Sequence, residues 1–165
     1  MSGELVICRE NSKYGIILSG RVNFETVVPL RDFVNDLPAD VEELTIDMAN
    51  CLSMDSTCMG VLSMLALTGI KRKLKLQLLN AGSNRQLLKG LGVEKLFKFA
   101  DMPFEQYAEV LYPAENARAQ DLKSTTETVL EAHQTLIAAD DSNKERFDSV
   151  VEMTKQDLDR FNESN

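Results

Sequence analysis

Ile46-Asp47-Met48-Ala49-Asn50-Cys51-Leu52-Ser53-Met54-Asp55-Ser56-Thr57-Cys58-Met59-Gly60-Val61-Leu62 passes from a buried strand, through a short polar turn, into the first turn of an apolar helix. The turn sets Asp55, Ser56 and Thr57 side by side where the helix begins. A hydroxyl held there sits against free backbone N–H groups, and phosphorylation would change its charge sharply. Asp, Ser and Thr before a helix are most often simple caps. The junction therefore has to be weighed with the chain around it.

Upstream, Leu5-Val6-Ile7-Cys8 and Tyr14-Gly15-Ile16-Ile17-Leu18 read as two strands joined by a turn at Asn11-Ser12, an antiparallel pair. From Phe24 the period changes. Phe24, Val27, Val28, Leu30, Phe33, Val34 and Leu37 recur at helical spacing, with the helix beginning near Pro29 and stopped by Pro38. Leu44 to Met48 is the third strand, and a helix from Thr57 to about Lys71 follows it. Leu74 to Leu79 alternates and is the fourth strand. After a Ser83 cap, Arg85 to Gly90 predicts a short helix closed by Gly90 or Gly92. Lys95 to Phe99 reads as a last strand and Pro103 to Leu111 as another helix. This alternation predicts a mostly parallel α/β sheet covered by helices, with the N-terminal hairpin at its edge.

Composition narrows the function. The chain has 165 residues, a net charge of −8 and a pI near 4.7. No basic footprint for direct nucleic-acid binding exists, and an acidic surface does not favour anionic lipid. The charged N-terminus is not that of a signal peptide, and the apolar run Val61–Ile70 is too short for membrane insertion. Cys8, Cys51 and Cys58 have no C-x-x-C spacing, so reduced thiols in a cytoplasm are the simplest account. Cys58 stands at a helix N-terminus, which lowers a thiol pKa; its reading here is nonetheless steric rather than redox. The single histidine, His133, gives neither a metal cluster nor a catalytic triad and reads as a packing residue. Met48, Met54, Met59 and Met64 read as core residues. Lys71-Arg72-Lys73 reads as a solvated helix end.

Past Pro113 the character shifts. The stretch from Ala114 to Asn165 carries six of the eight net negative charges. Leu122, Thr126, Val129, Leu130, His133, Leu136 and Ile137 form one helical stripe, and Phe147, Val150, Val151, Thr154, Leu158 and Phe161 another. Ser142 with Glu145 reads as a capping box at the second start. The expected organisation is a domain over residues 1–112 and an acidic two-helix extension over 113–165. The stripes must bury against each other, the sheet, a partner, or a second copy in a homodimer through the extension.

Residues 5 to 111 resemble the STAS domain, and within it the bacterial anti-sigma factor antagonists. The resemblance rests on Leu18-Ser19-Gly20-Arg21-Val22-Asn23, Ile46-Asp47-Met48, Leu79-Asn80, Leu87 to Val93 and, above all, Met54-Asp55-Ser56-Thr57-Cys58-Met59-Gly60-Val61-Leu62. It implies a STAS-like mixed sheet and a switch without catalytic residues, cofactor or metal. An anti-sigma factor that is also a serine kinase would phosphorylate Ser56, and a PP2C-type phosphatase would restore it. The unphosphorylated form would bind the kinase, with Asp55, Thr57, Cys58, Met59 and Asn23 as its partner-binding residues. Cys58 stands where the family usually has glycine, and Asn23 where many members have Asp. The alternative is a STAS subunit of a membrane-associated transport or signalling complex, with Ser56 only a helix cap.

Overall fold

Parallel strands joined by right-handed crossovers that always step the same way wind their helices onto one face of the sheet. The computed structural model, which describes residues 2–114 and 120–163, is built this way. Strands β1 (Glu4–Glu10), β2 (Lys13–Val22), β3 (Glu43–Met54), β4 (Lys75–Leu79), β5 (Phe99–Ala100) and β6 (Glu109–Tyr112) form one mixed α/β sheet in the order β5-β4-β3-β2-β1-β6. β2 to β5 are mutually parallel; β1 is antiparallel to β2, and β6 to β1. Helices α1 (Val28–Asn35), α2 (Ser56–Lys71) and α3 (Asn84–Gly90) fill the crossovers. Tyr14, Ile16 and Leu18 of β2 and Leu44, Ile46 and Met48 of β3 meet Leu30, Leu62, Leu65 and Leu88 in one apolar core. α1 begins beside Pro29, whose missing N–H costs a first turn nothing. α3 closes through Gly92, at φ 70°.

Four expectations need correction. The stretch before the junction is not a polar turn: β3 runs on to Met54, because β2 continues beside it to Val22. Two register shifts absorb the extra β3 residues, and only Asp55 separates strand from helix. Lys95–Phe99 is not a strand but a 3-10 turn (Glu94–Leu96) followed by the two-residue β5. Ser83 precedes α3 without a side-chain cap bond. The helix expected over Pro103–Leu111 is absent, and β6 replaces it as the sheet edge outside the hairpin.

This last difference has a simple cause. Residues 101–108 connect opposite edges of the sheet, five strand spacings or about 24 Å apart. Extended chain at about 3.3 Å per residue spans that gap, whereas a helix at about 1.5 Å per residue covers only half of it. The strap crosses the face away from the helices. Gly15 makes room for Phe104 there: a Cβ on Gly15 would lie 2.7 Å from the Phe104 ring. Asn80 at the end of β4 moors the strap, exchanging side-chain bonds with Met102 N and O and donating to Asp47 Oδ1 at 2.9 Å.

Both stripes beyond Pro113 become helices, α4 (Leu122–Ala139) and α5 (Ser142–Glu163). α4 lies across the outer side of α2 and α1, and α5 packs on α4. Ala132 and Leu136 enter the main core, while Leu122, expected in the stripe, is exposed. Phe147, Val150, Val151, Thr154, Leu158 and Phe161 are all half-buried. The capping box expected of Ser142 and Glu145 is replaced: Ser142 is already helical, and Asp140, accepting from Ser142 N and Oγ, holds the start of α5. Asn143 donates to Leu91 O and Leu136 O, both at 2.8 Å, tying α5 to the turn after α3.

The polar anchor of α4 is Arg31 on α1, only 7% exposed. Its guanidinium donates to Thr128 Oγ1 (3.0 Å), Ser124 O (3.1 Å) and Glu131 Oε2 (3.2 Å), with Glu127 at 3.5 Å. Arg31→Met keeps the apolar stem and removes every donor. It is expected to cost about 2 kcal/mol, less than a fully buried pair because Glu127 and Glu131 remain partly solvated. Urea unfolding with hydrogen exchange checks this, with α4 losing protection before the strands.

Candidate functional site

The C-terminal ends of the parallel strands carry the junction. Val22 pairs with Met54, and the N–H of Asp55 donates to Val22 O at 3.3 Å, so Asn23 and Asp55 leave the sheet side by side. Asp55 is extended at φ −93°, ψ 179°, and its Oδ1 accepts from Cys58 N at 2.9 Å. It is the N-cap of α2, and Ser56 is the first helical residue, so the helix starts one residue before Thr57 and the capping role expected of Ser56 falls to Asp55. Asn23 Oδ1 accepts from Glu25 N (3.0 Å), Thr26 N (3.2 Å) and Thr26 Oγ1 (3.1 Å). A neutral amide thus shapes the bend into α1, as an aspartate would. Phe24 and Leu52, 39% and 59% exposed, stand at the same end of the sheet.

The sequence-derived residues divide by burial. Ser56 and Asp55 are half-buried and Asn23 is exposed. Thr57, Cys58 and Met59 are buried. Cys58 sits under the turn with Sγ 3.8 Å from Met54 Sδ. A helix N-terminus lowers a thiol pKa; here burial outweighs it and pushes the Cys58 thiol well up, with Asp55 and Cys51 adding to the rise.

Sequence reasoning missed His133. The lone histidine of α4, 77 residues away, places Nε2 2.8 Å from Ser56 Oγ. Its Nδ1 lies 2.7 Å from Val129 O. A carbonyl only accepts, so Nδ1 carries the proton and the neutral Nε2 accepts from the Ser56 hydroxyl. The ring stands edge-on to Phe147 of α5, with centroids 4.8 Å apart. Burial lowers the His133 pKa, against smaller upward pulls from the Val129 carbonyl and the Asp55 charge. The one available hint was His133 lying on the apolar stripe of α4; nothing local in sequence links it to Ser56. A backbone carbonyl occupies the place a triad gives to a carboxylate, so the imidazolium a nucleophilic serine needs has no counter-ion on Nδ1.

Approach is close beyond this bond. Gly60, one helical turn after Ser56, faces α4: a Cβ there would lie 2.5 Å from Ala132 O and 2.6 Å from Ala132 Cβ. Ser56 and Gly60 thus present small side chains to His133 and Ala132.

Two outcomes follow. A histidine whose folded pKa is depressed supplies stability that is present above its unfolded pKa, about 6.5, and is lost as pH falls through the lower folded value. Wild type is expected to lose urea stability below pH 6.5 relative to His133→Asn, read as a narrowing gap between their midpoints. The depressed Asp121 and Asp140 titrate below 3.8, outside this window. Separately, Cys8, Cys51 and Cys58 are buried with raised pKa values. A water-soluble disulfide reagent at pH 7.5 should label all three only at the rate of unfolding; fast labelling of Cys58 would refute its inertness.

No curated protein matches the chain. One solved structure, an anti-sigma factor antagonist from Mycobacterium paratuberculosis, is similar at 20% identity over 59% of this chain and 85% of that one, with a TM-score of 0.48. The family model described as "Mlab, STAS domain" matches residues 9–98. That stretch runs from the end of β1 to the residue before β5, takes in the whole junction, and exceeds half of the sequence: the chain belongs to the STAS domain family.

Proposed function

We propose that this STAS protein is an anti-sigma factor antagonist, acting by binding rather than catalysis and switched at Ser56. The carrying observation is a serine at the first position of α2, directly after a parallel strand and its capping aspartate. In the unphosphorylated state, Ser56, Asp55 and Asn23, with the exposed Phe24 and Leu52, form the contact for an anti-sigma factor serine kinase in the cytoplasm. Thr57, Cys58 and Met59 lie buried beneath that surface and act on the partner through the shape they give the turn. A PP2C-type phosphatase resets the serine.

Electrostatics supports the switch. A phosphoserine adds about 1.5 to 2 negative charges. The first turn of a helix tolerates an anion, because its N–H groups and dipole favour one. A partner packed over Ser56 would instead meet a desolvated dianion beside Asp55, a like-charge contact costing several kcal/mol.

The second reading is a STAS subunit of a membrane-associated transport or signalling complex in which Ser56 is structural. The bond from Ser56 to His133 favours it, since it gives the hydroxyl a packing role. No described helix is long and apolar enough to cross a membrane, so such a subunit would attach through partners.

The test is phosphosite mapping and affinity with a candidate serine kinase from the same cell. Phosphate is expected on Ser56. Ser56→Ala should bind constitutively, and the phosphorylated protein roughly 100-fold more weakly, at about 1.4 kcal/mol per tenfold. Equal affinity of wild type, Ser56→Ala and phosphoprotein would remove the switch; copurification with a membrane ATPase would favour the second reading.

A further inference from the structure

We propose that α4 is an intramolecular cover for Ser56, and that its seat on α2 and a phosphate on Ser56 exclude one another. This rests on Ser56 being the switch residue, but makes its own claim about the chain beyond Pro113.

Three observations carry it. The Ser56 hydroxyl donates to His133 Nε2 at 2.8 Å, and α5 closes behind that ring through Phe147. Esterification removes the donated hydrogen and puts a phosphorus with three oxygens on an oxygen that now lies 2.8 Å from the imidazole. A neutral Nε2 offers the anion only a lone pair, and the ring can answer with a donated hydrogen only by taking up a proton that its burial under α5 opposes. The second observation is Gly60, which leaves no room for even a methyl group between α2 and the backbone of α4. A phosphate therefore cannot be relieved by a small sideways shift; the helices are already in contact one turn on. The third is that the closed seat is specifically held. Arg31 grips Ser124, Thr128 and Glu131, and Asn143 grips Leu91 and Leu136. A helix anchored at both ends and lifted at one point leaves as a unit.

The same face is the one a kinase must reach. A serine whose hydroxyl is bonded to His133 under α4 is a poor substrate. Phosphorylation and partner binding then proceed through a minority of molecules with α4 lifted, which reduces apparent affinity by that fraction. Once phosphorylated, Ser56 keeps α4 from reseating, so the modified protein presents the apolar underside of α4 as well as the phosphate.

The experiment uses the full chain. Phosphoserine is installed at position 56 during translation, and hydrogen exchange is followed in α4. Amides of residues 125–139 are expected to exchange roughly tenfold faster or more in the phosphoprotein, while β2, β3 and β4 stay protected. Unchanged α4 protection with stoichiometric phosphate would overturn the proposal. Gly60→Ala should lift α4 without phosphate, giving the same pattern and roughly tenfold faster Ser56 phosphorylation by the candidate kinase; an unchanged rate with α4 demonstrably lifted would also overturn it. Should Gly60→Ala not fold, Arg31→Met releases α4 from its other end and is read the same way. A kinase that modifies no variant would count against the switch function, whereas the exchange of the phosphoprotein would still decide the cover.

Discussion

Burial of α2 on two opposite sides is the constraint around which the rest of the molecule is arranged. A crossover helix on an open sheet needs one apolar stripe. In α2, every residue from Thr57 to Ser63 is buried, and so are Leu65, Ala66 and Gly69. Cys58, Val61, Leu62 and Leu65 belong to the core beneath. Gly60 and Ser56 turn the other way and meet α4. The outer side of α2 is thus an interior surface that the STAS crossovers do not supply, and α4 supplies it. α5 follows one layer out, packing on α4 and closing behind His133 through Phe147.

The strand-to-helix rhythm was legible where periodicity was long and unmixed: β2 to β4, α2, and the two C-terminal helices, whose half-buried positions on α5 match its apolar stripe. The errors at residues 101–108 and at the end of β3 share one cause. A short segment takes its conformation from the gap it must bridge, and no local pattern records the gap. Pro103–Leu111 read as a helix, but residues 101–108 must cross a six-stranded sheet, and only extended chain is long enough. β3 outruns its apolar core because β2 does so beside it. The junction itself was legible as a polar start to α2, although with Ser56 rather than Asp55 in the capping place. Its contact with His133 was not, since a bond across 77 residues exists only once α4 is placed. One clue did lie in the sequence: α2 is apolar all round, which announces a second covering layer.

The chemistry of the junction follows from which groups are already engaged. Asp55 spends one oxygen on Cys58 N–H, and Asn23 spends its carbonyl on the turn into α1, so both shape backbone before they meet any partner. Cys58 fills the space under the turn with a thiol that burial keeps protonated, which makes it a packing group at a position whose helix end would otherwise favour thiolate. Ser56 alone among the junction residues directs its polar atom at another layer of the molecule.

That direction decides what a modification of Ser56 can do. The first turn of a helix accommodates a phosphate with little strain, so α2 and the sheet have no reason to change. The whole effect must fall on whatever covers the hydroxyl. In a STAS domain without further helices, that would be an external protein alone. Here the chain's own α4 takes the first place, through a neutral imidazole that accepts from the hydroxyl and a contact at Gly60 too close to admit a methyl group. An acidic pair of helices held mainly by one arginine, one asparagine and apolar contact is a suitable cover for such a site. The group it sets against the hydroxyl is an imidazole whose burial disfavours the charged form, and Glu127 and Glu131 beside Arg31 keep that guanidinium occupied.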